Sequence, residues 1–209
     1  MLINSKLYTT LETITNFILL NLIWLVVSIP VFTLFPATAA MFSVVRDWTL
    51  KKEINLLKHF FQYFRLHFTK SFILGIGFII FVIIFFIDLS ILGELDHSMS
   101  ILVLSLLFLV GISVSFMGIF LFPLMIRYEL TLRDLIKNSF MFSIMYYPST
   151  LLSIILLVTV SLIVAVVPIM ACMVFAPTAY IIHKICNRTF IKVSSVINEK
   201  KDDSTIASS

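Results

Sequence analysis

The apolar positions of this chain fall into four long blocks that shorter, charged segments separate. The blocks run over residues 14–45, 71–92, 100–126 and 150–182. The two inner blocks have the length of an ordinary membrane-spanning helix, which needs roughly 20 apolar residues. The two outer blocks would each be about 48 Å long as a straight helix, which exceeds a membrane core about 30 Å thick. The pattern predicts an all-α fold, a polytopic transmembrane helical bundle.

Prolines interrupt both outer blocks. Pro30 and Pro36 lie in the first block, and Pro168 and Pro177 lie in the last. Because a proline inside a helix removes a backbone hydrogen bond and clashes with the preceding turn, each outer block is predicted to be a broken helix. A span would be followed by a second, short helix. The pattern leaves open whether that second piece re-enters the membrane, lies at its surface or crosses it again.

The sequences around the two breaks resemble each other. Residues 35–39 read FPATA, and residues 175–179 read FAPTA. Proline-interrupted segments in corresponding halves of a chain often mark the binding site of a transporter. The alternative is that both breaks are kinks required for packing. The candidate functional residues at the breaks are Pro30, Pro36, Thr38, Pro168, Pro177 and Thr178.

The segment before the second block has the spacing of a basic amphipathic helix. Apolar side chains in residues 54–70 recur on one helical face, whereas Lys58, Arg65 and other polar residues take the remaining positions. Such a helix is expected to lie in the headgroup region of the membrane. There, Lys58, Arg65 and Lys70 would contact anionic lipid headgroups.

A second amphipathic helix is predicted to begin at Thr131. Asp134 follows three residues later, which resembles the side-chain pattern that caps the start of a helix. Its buried stripe is expected to consist of four apolar residues: Leu132, Leu135, Ile136 and Phe140. Both amphipathic helices are predicted to be cytoplasmic.

The distribution of charge predicts how the chain is oriented. Residues 46–70, 127–148 and the segment after 182 carry the lysines and arginines, whereas the turn 93–98 has Glu94 and Asp96 and no basic residue. Because cytoplasmic loops carry an excess of Lys and Arg, the turn is predicted to be outside and the other segments cytoplasmic. We therefore expect a cytoplasmic C-terminus, and the pattern leaves the orientation of the N-terminus open.

Composition supports the membrane interpretation. Of the 209 residues, 60% are hydrophobic and 12% are charged, and the mean hydropathy is +1.11. Soluble domains have about 25% charged residues, so this chain has too few polar side chains to cover a water-exposed surface. The net charge of +4 does not indicate nucleic-acid binding, because the basic residues flank apolar blocks. We expect one transmembrane domain, residues 1–196, and a disordered polar tail, residues 197–209.

Two local features of the sequence could indicate signal-peptide cleavage or a disulfide. The A-x-A sequence at residues 37–39 resembles a signal-peptidase site, but the apolar run before it exceeds the usual length and only Lys6 precedes it, opposed by Glu12. A retained helix is therefore expected. Cys172 and Cys186 lie in or beside an apolar segment without metal-ligand spacing, and we interpret them as small hydrophobic residues rather than a disulfide.

Residues with catalytic chemistry are few. The four histidines are scattered, and no HExxH, GxSxG or nucleotide-binding loop is present. Asp88, in the second block, is a candidate functional residue because a carboxylate inside a membrane is costly to bury. The alternative is that it reaches the interface from the end of its helix. We expect no enzyme activity, no cofactor and no bound metal.

The first third of the chain resembles a known family. Residues 21–30 read NLIWLVVSIP, residues 35–41 read FPATAAM, and Trp48 and the FFQYFR segment at 60–65 follow. Together they resemble the YesL family of small uncharacterised membrane proteins from Gram-positive bacteria. The chain departs from that pattern at Phe35, where members often carry glycine. The rest of the chain is similar mainly in hydropathy.

The resemblance implies a bacterial plasma-membrane protein, and it supplies no activity and no catalytic residues. Members are often encoded beside carbohydrate ABC transporters and their two-component regulators. The resemblance therefore favours a non-enzymatic accessory protein of sugar uptake or sensing, with an ABC transporter permease or a sensor kinase as partner. The alternative is a small stand-alone carrier or channel, which the paired breaks and Asp88 favour.

Overall fold

The protein is a bundle of α-helices. The structure, a computed structural model, describes residues 2–52, 55–92 and 97–206, and among these the backbone forms seven α-helices and no β-strand. The helices are α1 (Leu2–Ser28), α2 (Leu34–Thr49), α3 (Leu56–Ile91), α4 (His97–Arg127), α5 (Leu132–Met145), α6 (Tyr147–Val166) and α7 (Ala171–Ile206). Of the described helices, α1, α3, α4, α6 and α7 are long and apolar enough to cross a membrane. The predicted all-α membrane bundle is confirmed.

The first block breaks where the sequence predicts. Helix α1 ends at Ser28, and a 3₁₀ turn at Val31–Thr33 leads into α2. The Thr33 hydroxyl closes this turn on the carbonyl oxygens of Val27 and Pro30, at 2.5 and 2.7 Å. The Phe17 ring lies 5.0 Å from that of Trp48, so α2 runs back along α1. The first block is therefore a hairpin whose two ends lie at the same end of the bundle.

The last block breaks in the same way. A 3₁₀ turn at Pro168–Met170 separates α6 from α7. The Thr189 hydroxyl donates to Ser149 at 3.2 Å, so α7 runs back along α6. The second piece is not short, because α7 is helical to Ile206. The backbone of α7 thus continues into the segment from residue 197, where a separate disordered tail stays a prediction.

Only one proline of each pair breaks the helix. Pro36 is the third residue of α2, where a backbone N–H has no partner within the helix. Pro177 lies inside α7, and membrane helices tolerate proline because neighbouring groups satisfy the freed backbone atoms. The predicted break of each outer block therefore occurs at Pro30 and at Pro168, and the helices that follow accommodate Pro36 and Pro177.

The basic segment before the second block is not a separate helix. It forms the first part of α3, which continues for 36 residues from Leu56 to Ile91 and would measure about 54 Å if straight. Leu56 and Phe60 are buried, and this part packs beside α2. A continuous helix that crosses the membrane does not lie flat in its headgroups. Leu57 and Phe61 of the predicted apolar face are about half-exposed, and contact of this segment with lipid headgroups stays a prediction.

Helix α5 begins as predicted. The side chain of Thr131 accepts a hydrogen bond from the backbone N–H of Asp134 at 3.3 Å, which satisfies an N–H that the helix leaves without a partner. The Phe120 and Phe142 rings are 6.1 Å apart, which places α5 against α4.

The predicted buried stripe of α5 is wrong. Leu135 is buried, but Ile136 and Phe140 are exposed and Leu132 is only half-buried. The face against α4 contains Ser139 and Ser143 instead. In a membrane, small and polar residues let helices approach closely, whereas large apolar side chains are equally stable in lipid. In water-soluble proteins large apolar residues face inwards, and applying that rule to α5 therefore predicts the wrong buried face.

Cationic side chains tie several helices together at one end of the bundle. Arg46, near the end of α2, donates to the carbonyl oxygen of Ile126 at 2.7 Å. Lys70 donates to the carbonyl oxygen of Leu130 at 3.1 Å, and Arg127 donates to Asn187 of α7. We call this the basic end. The turn 93–96 lies outside the described residues, so the assignment of membrane sides from charge stays a prediction.

The core occupies the half of the bundle near the basic end. Phe60, Phe120, Leu124 and Phe190 are at most 1% exposed. The other half is an extension of α3 and α4, which we call the arm: residues 79–92 and 99–112. No residue of the arm is buried, although Phe85 and Gly111 approach each other across its two helices.

Candidate functional site

The helices next to the two breaks meet inside the bundle, although the turns of both breaks are largely exposed. The side-chain amide of Asn21, which is fully buried, donates to the carbonyl oxygen of Ala171 at 2.7 Å. One turn later on α1, the Trp24 ring lies 4.9 Å from Phe175. The end of α1 therefore contacts the start of α7, and the two similar sequence motifs become neighbours in space.

A cavity of about 310 Å³ lies where the two break motifs, residues 35–39 and 175–179, approach each other, and both candidate threonines line it. Thr38 accepts a hydrogen bond from the Trp24 indole N–H at 3.1 Å and donates to the Leu34 carbonyl oxygen at 2.7 Å. Thr178 donates to the Val174 carbonyl oxygen at 2.7 Å. Because both hydroxyls are already paired, the cavity presents mainly apolar walls and suits an apolar group.

The four candidate prolines do not line this cavity. Pro30 and Pro168 separate the helices at the two breaks, and Pro36 and Pro177 lie within α2 and α7. They position the residues that line the cavity and present no groups to it. The sequence is correct in bringing the break motifs together, but it does not distinguish lining residues from positioning ones.

Two buried polar atoms near the breaks have no hydrogen-bond partner among the described residues. They are the side-chain oxygen of Asn21 and the hydroxyl of Ser28. An unpaired polar group buried away from water is costly. A bound polar group that paired with these atoms would remove that cost, so the region beside the breaks is a candidate binding site.

Asp88 lies far from the breaks. Phe35 at the start of α2 contacts α3 at Gly75, and Asp88 is thirteen residues further along the same helix, a distance of about 20 Å. It is half-exposed, in the arm. The structure therefore does not join Asp88 to the breaks in one site, and a role for this carboxylate stays a prediction.

The three predicted lipid-contact cations divide between two faces of α3. Lys58 and Arg65 are near each other, beside Phe61 and Gln62 on an exposed surface. Lys70 lies instead among residues of α2 and α4. The difference follows from the helical repeat, because positions seven apart share a face and positions five apart do not.

Lys70 belongs to a polar cavity of about 370 Å³ at the basic end, which we call the basic cavity. Its charged side chains are Arg46, Lys70, Arg127 and Glu129, and His67 and two tyrosines also line it. The three Lys and Arg side chains donate to neutral oxygens, so these hydrogen bonds leave their positive charge in place. This arrangement can bind an anion.

Asp47 is a buried acid that the sequence interpretation missed. Its side chain accepts hydrogen bonds from the Tyr63 hydroxyl and from Lys52, the latter at 3.0 Å, and the residue is 3% exposed. Its position in a charged segment suggested an exposed loop. The signal that could have found it is helical spacing, since Ala40 and Val44 precede it on one buried face of α2.

Metal binding has no support in the described part of the chain, where no group of three or more His, Cys, Asp or Glu side chains comes together. Cys172 and Cys186 are free thiols. The described residues thus offer an apolar cavity at the breaks and a cationic cavity at the basic end.

Comparison with known proteins identifies relatives. Residues 17–89 match the family described as "Protein of unknown function, DUF624". The chain is 30% identical to the uncharacterised protein YteU of Bacillus subtilis over 75% of this chain and 72% of that protein. It is 30% identical to YesL, over 58% of each chain, and 26% identical to YesV, over 68% of this chain and 71% of that protein; both are uncharacterised proteins of B. subtilis. No solved structure matches.

Proposed function

The chain belongs to the YesL-like family of Gram-positive proteins with a DUF624 domain, and we propose that it is a non-enzymatic accessory membrane protein. In this proposal it binds another multi-pass protein of carbohydrate uptake or sensing, either the permease of an ABC transporter or a sensor kinase. Anionic lipid headgroups are its second partner, at the basic end.

The observation that carries the proposal is the arm. Helices α3 and α4 are more apolar than α1 and α7, yet no residue of the arm is buried. Helices associate in membranes through close van der Waals packing and interhelical hydrogen bonds, and the arm forms little of either with the rest of the chain. A partner helix that packs on Phe86 and its neighbours would supply this missing contact.

The proposed orientation places the basic end in the cytoplasm. Arg46, Lys70 and Arg127 all lie at that end, and basic residues are enriched on the cytoplasmic side of membrane proteins. In this orientation α7 directs the C-terminus to the cytoplasm, and the arm reaches the outer leaflet. An ABC permease or a sensor kinase has helices at the same depth.

The first experiment is mild-detergent purification of the tagged, full-length protein from its own host, with mass spectrometry of what accompanies it. Stoichiometric recovery of permease or sensor-kinase subunits supports the accessory role. The matched variants are Phe86→Ala in the arm and Ile155→Ala on α6, because these side chains are 63% and 62% exposed. The first is expected to lose the partner and the second to keep it. Recovery of this chain alone would contradict the proposal.

A carrier is the second candidate, because Thr38 and Thr178 of the two break motifs line one cavity and the buried Asn21 side-chain oxygen has no partner among the described residues. Its test is flux into vesicles that contain the purified protein, with Asn21→Leu and Thr38→Val as variants. Flux that both substitutions abolish would support the carrier. Equal flux in vesicles with and without the protein would exclude a carrier function.

A further inference from the structure

An apolar groove lies between α3 and α4, next to the apolar cavity described above, with which it shares Gly118 and Phe122 in its lining. It has a volume of about 460 Å³, and its lining is almost entirely apolar. Gly77 on α3 and Gly118 on α4 both line it, and an added Cβ atom at either glycine would meet nothing within 4 Å. The missing side chains leave the groove open between the two helices.

The groove follows the basic cavity along the same faces of α3 and α4. On α3, Lys70 lines the basic cavity and Ile73 and Gly77 line the groove, at the three- and four-residue spacing of one helical face. On α4, Met125 lines the basic cavity and Leu121 lines the groove, and the Ser71 hydroxyl donates to the Met125 sulfur at 3.6 Å beside them. The two spaces have no lining residue in common, and we call the pair the α3–α4 cleft, with a cationic end and an apolar end.

The charge at the polar end favours an anion. Arg46, Lys70 and Arg127 contribute three positive charges, and Glu129 is the one acid in the lining. Asp47 lies nearby, but Tyr63 and Lys52 already hold its carboxylate. Arginine and lysine are the side chains that bind phosphate groups best.

The boundary within the cleft coincides with the boundary of the apolar block. After Lys70 the chain carries no charged residue until Asp88, so the apolar groove begins where α3 enters its uncharged stretch. A membrane phospholipid likewise has its phosphate on the polar side and its acyl chains on the apolar side of the boundary between headgroups and hydrocarbon. Free inorganic phosphate would use the basic cavity and leave the groove empty.

We propose that the α3–α4 cleft binds one anionic glycerophospholipid, with its phosphate in the basic cavity and an acyl chain in the apolar groove. Lys70 lies at the junction and contacts the phosphate. The site deepens the proposed binding of anionic headgroups at the basic end and does not depend on the accessory role, because Phe81 is the one residue of the groove lining that belongs to the arm.

The test is native mass spectrometry of the full-length protein from detergent micelles, with dioleoyl phosphatidylglycerol or dioleoyl phosphatidylcholine added. One phosphatidylglycerol is expected to remain bound in preference to phosphatidylcholine. Lys70→Gln is expected to weaken phosphatidylglycerol binding by about fivefold, the loss of one cation near an anionic headgroup. Lys58→Gln is the matched control, since it removes the same charge from an exposed surface of the same helix. It is expected to leave binding unchanged.

The apolar end has its own variant. At Gly77 a Cβ atom meets nothing within 4 Å, so Gly77→Leu places a side chain in the groove. This variant is expected to lose the bound phosphatidylglycerol in native mass spectrometry. Ile79→Phe is the control, because it adds bulk on the opposite face of α3, where Ile79 is exposed. Thermal unfolding of each variant verifies that it is folded.

Three results would overturn the proposal. Equal retention of the two lipids would show that the cations do not select the headgroup. Undiminished retention in Gly77→Leu would show that the acyl chain lies elsewhere. Stabilisation by inorganic phosphate that matches that of phosphatidylglycerol would indicate an anion site without a lipid.

Discussion

The arm and the core half of the bundle differ in what they bury, although the two helices of the arm are more apolar than α1 and α7 of the core half. In the core half, helices close around Phe60, Phe120 and Phe190, whereas no residue of the arm is buried. The core half also contains the buried polar side chains, among them Asp47, Ser139 and Ser143, and the half-exposed Asp88 lies in the arm. In this membrane protein, small and polar positions mark the packed region, and hydropathy alone does not.

The largest expected effect separates two phenylalanines of α3. Phe60 is fully buried, and Phe86 is 63% exposed in the arm. Phe60→Ala is expected to lower the free energy of unfolding by about 3 kcal/mol, because it leaves a cavity that neighbours fill only in part. Phe86→Ala is expected to leave it nearly unchanged. Thermal unfolding in detergent measures both, and similar losses would show that the arm is packed.

Two aspartates give the next comparison. Asp47→Asn removes the charge that Lys52 and the Tyr63 hydroxyl contact, and hydrogen bonds to charged groups contribute about 2 kcal/mol. We expect a loss of that size for Asp47→Asn and little change for Asp88→Asn. Chemical unfolding in detergent provides the measurement. A larger loss for Asp88→Asn would reverse the assignment of core and arm.

Two glycines of α3 sharpen the boundary between the regions. A Cβ atom at Gly75 would lie 3.2 Å from the Phe35 ring, whereas one at Gly77 would meet nothing within 4 Å. Gly75→Leu is expected to destabilise the protein by about 2 kcal/mol through overpacking against α2. Gly77→Leu is expected to have no destabilising effect. The order of the two melting temperatures checks the account, and equal values would contradict it.

The smallest effect concerns serine hydroxyls. Ser143 donates to the carbonyl oxygen of Phe116 on another helix at 2.8 Å, and Ser105 in the arm donates only to Ile101 of its own helix. Interhelical hydrogen bonds in membranes contribute about 0.6 kcal/mol, so Ser143→Ala is expected to cost that amount. Ser105→Ala serves as the control. If its cost matches that of Ser143→Ala, the hydroxyls do not distinguish the regions.

Much of the fold followed from the sequence because the bilayer imposes simple rules. Long apolar blocks had to be helices, since lipid leaves no other partner for the backbone, and Pro30 and Pro168 had to break the outer blocks. The sequence also predicted that the side chain of Thr131 caps α5. These features depend on residues that are near one another in the chain.

The course of α3 and the buried face of α5 depend on how the helices pack, and packing cannot be predicted from the hydropathy of the sequence. Phe60 is buried in the part of α3 that packs beside α2, and α3 continues unbroken from Leu56 to Ile91. The outward face of α5 follows from the small size of Ser139 and Ser143, not from the apolar residues. At the candidate sites, the sequence indicated Thr38 and Thr178 but not the separation of Lys70 from Lys58.

The central claim is that the arm is a surface for another membrane protein. The most direct test places a photoreactive phenylalanine analogue at position 86 of the arm or at position 155 of α6, which are 63% and 62% exposed. After irradiation of intact host cells, the account predicts a cross-link to one membrane protein from position 86, with only lipid adducts from position 155. Lipid adducts alone from both positions would contradict it.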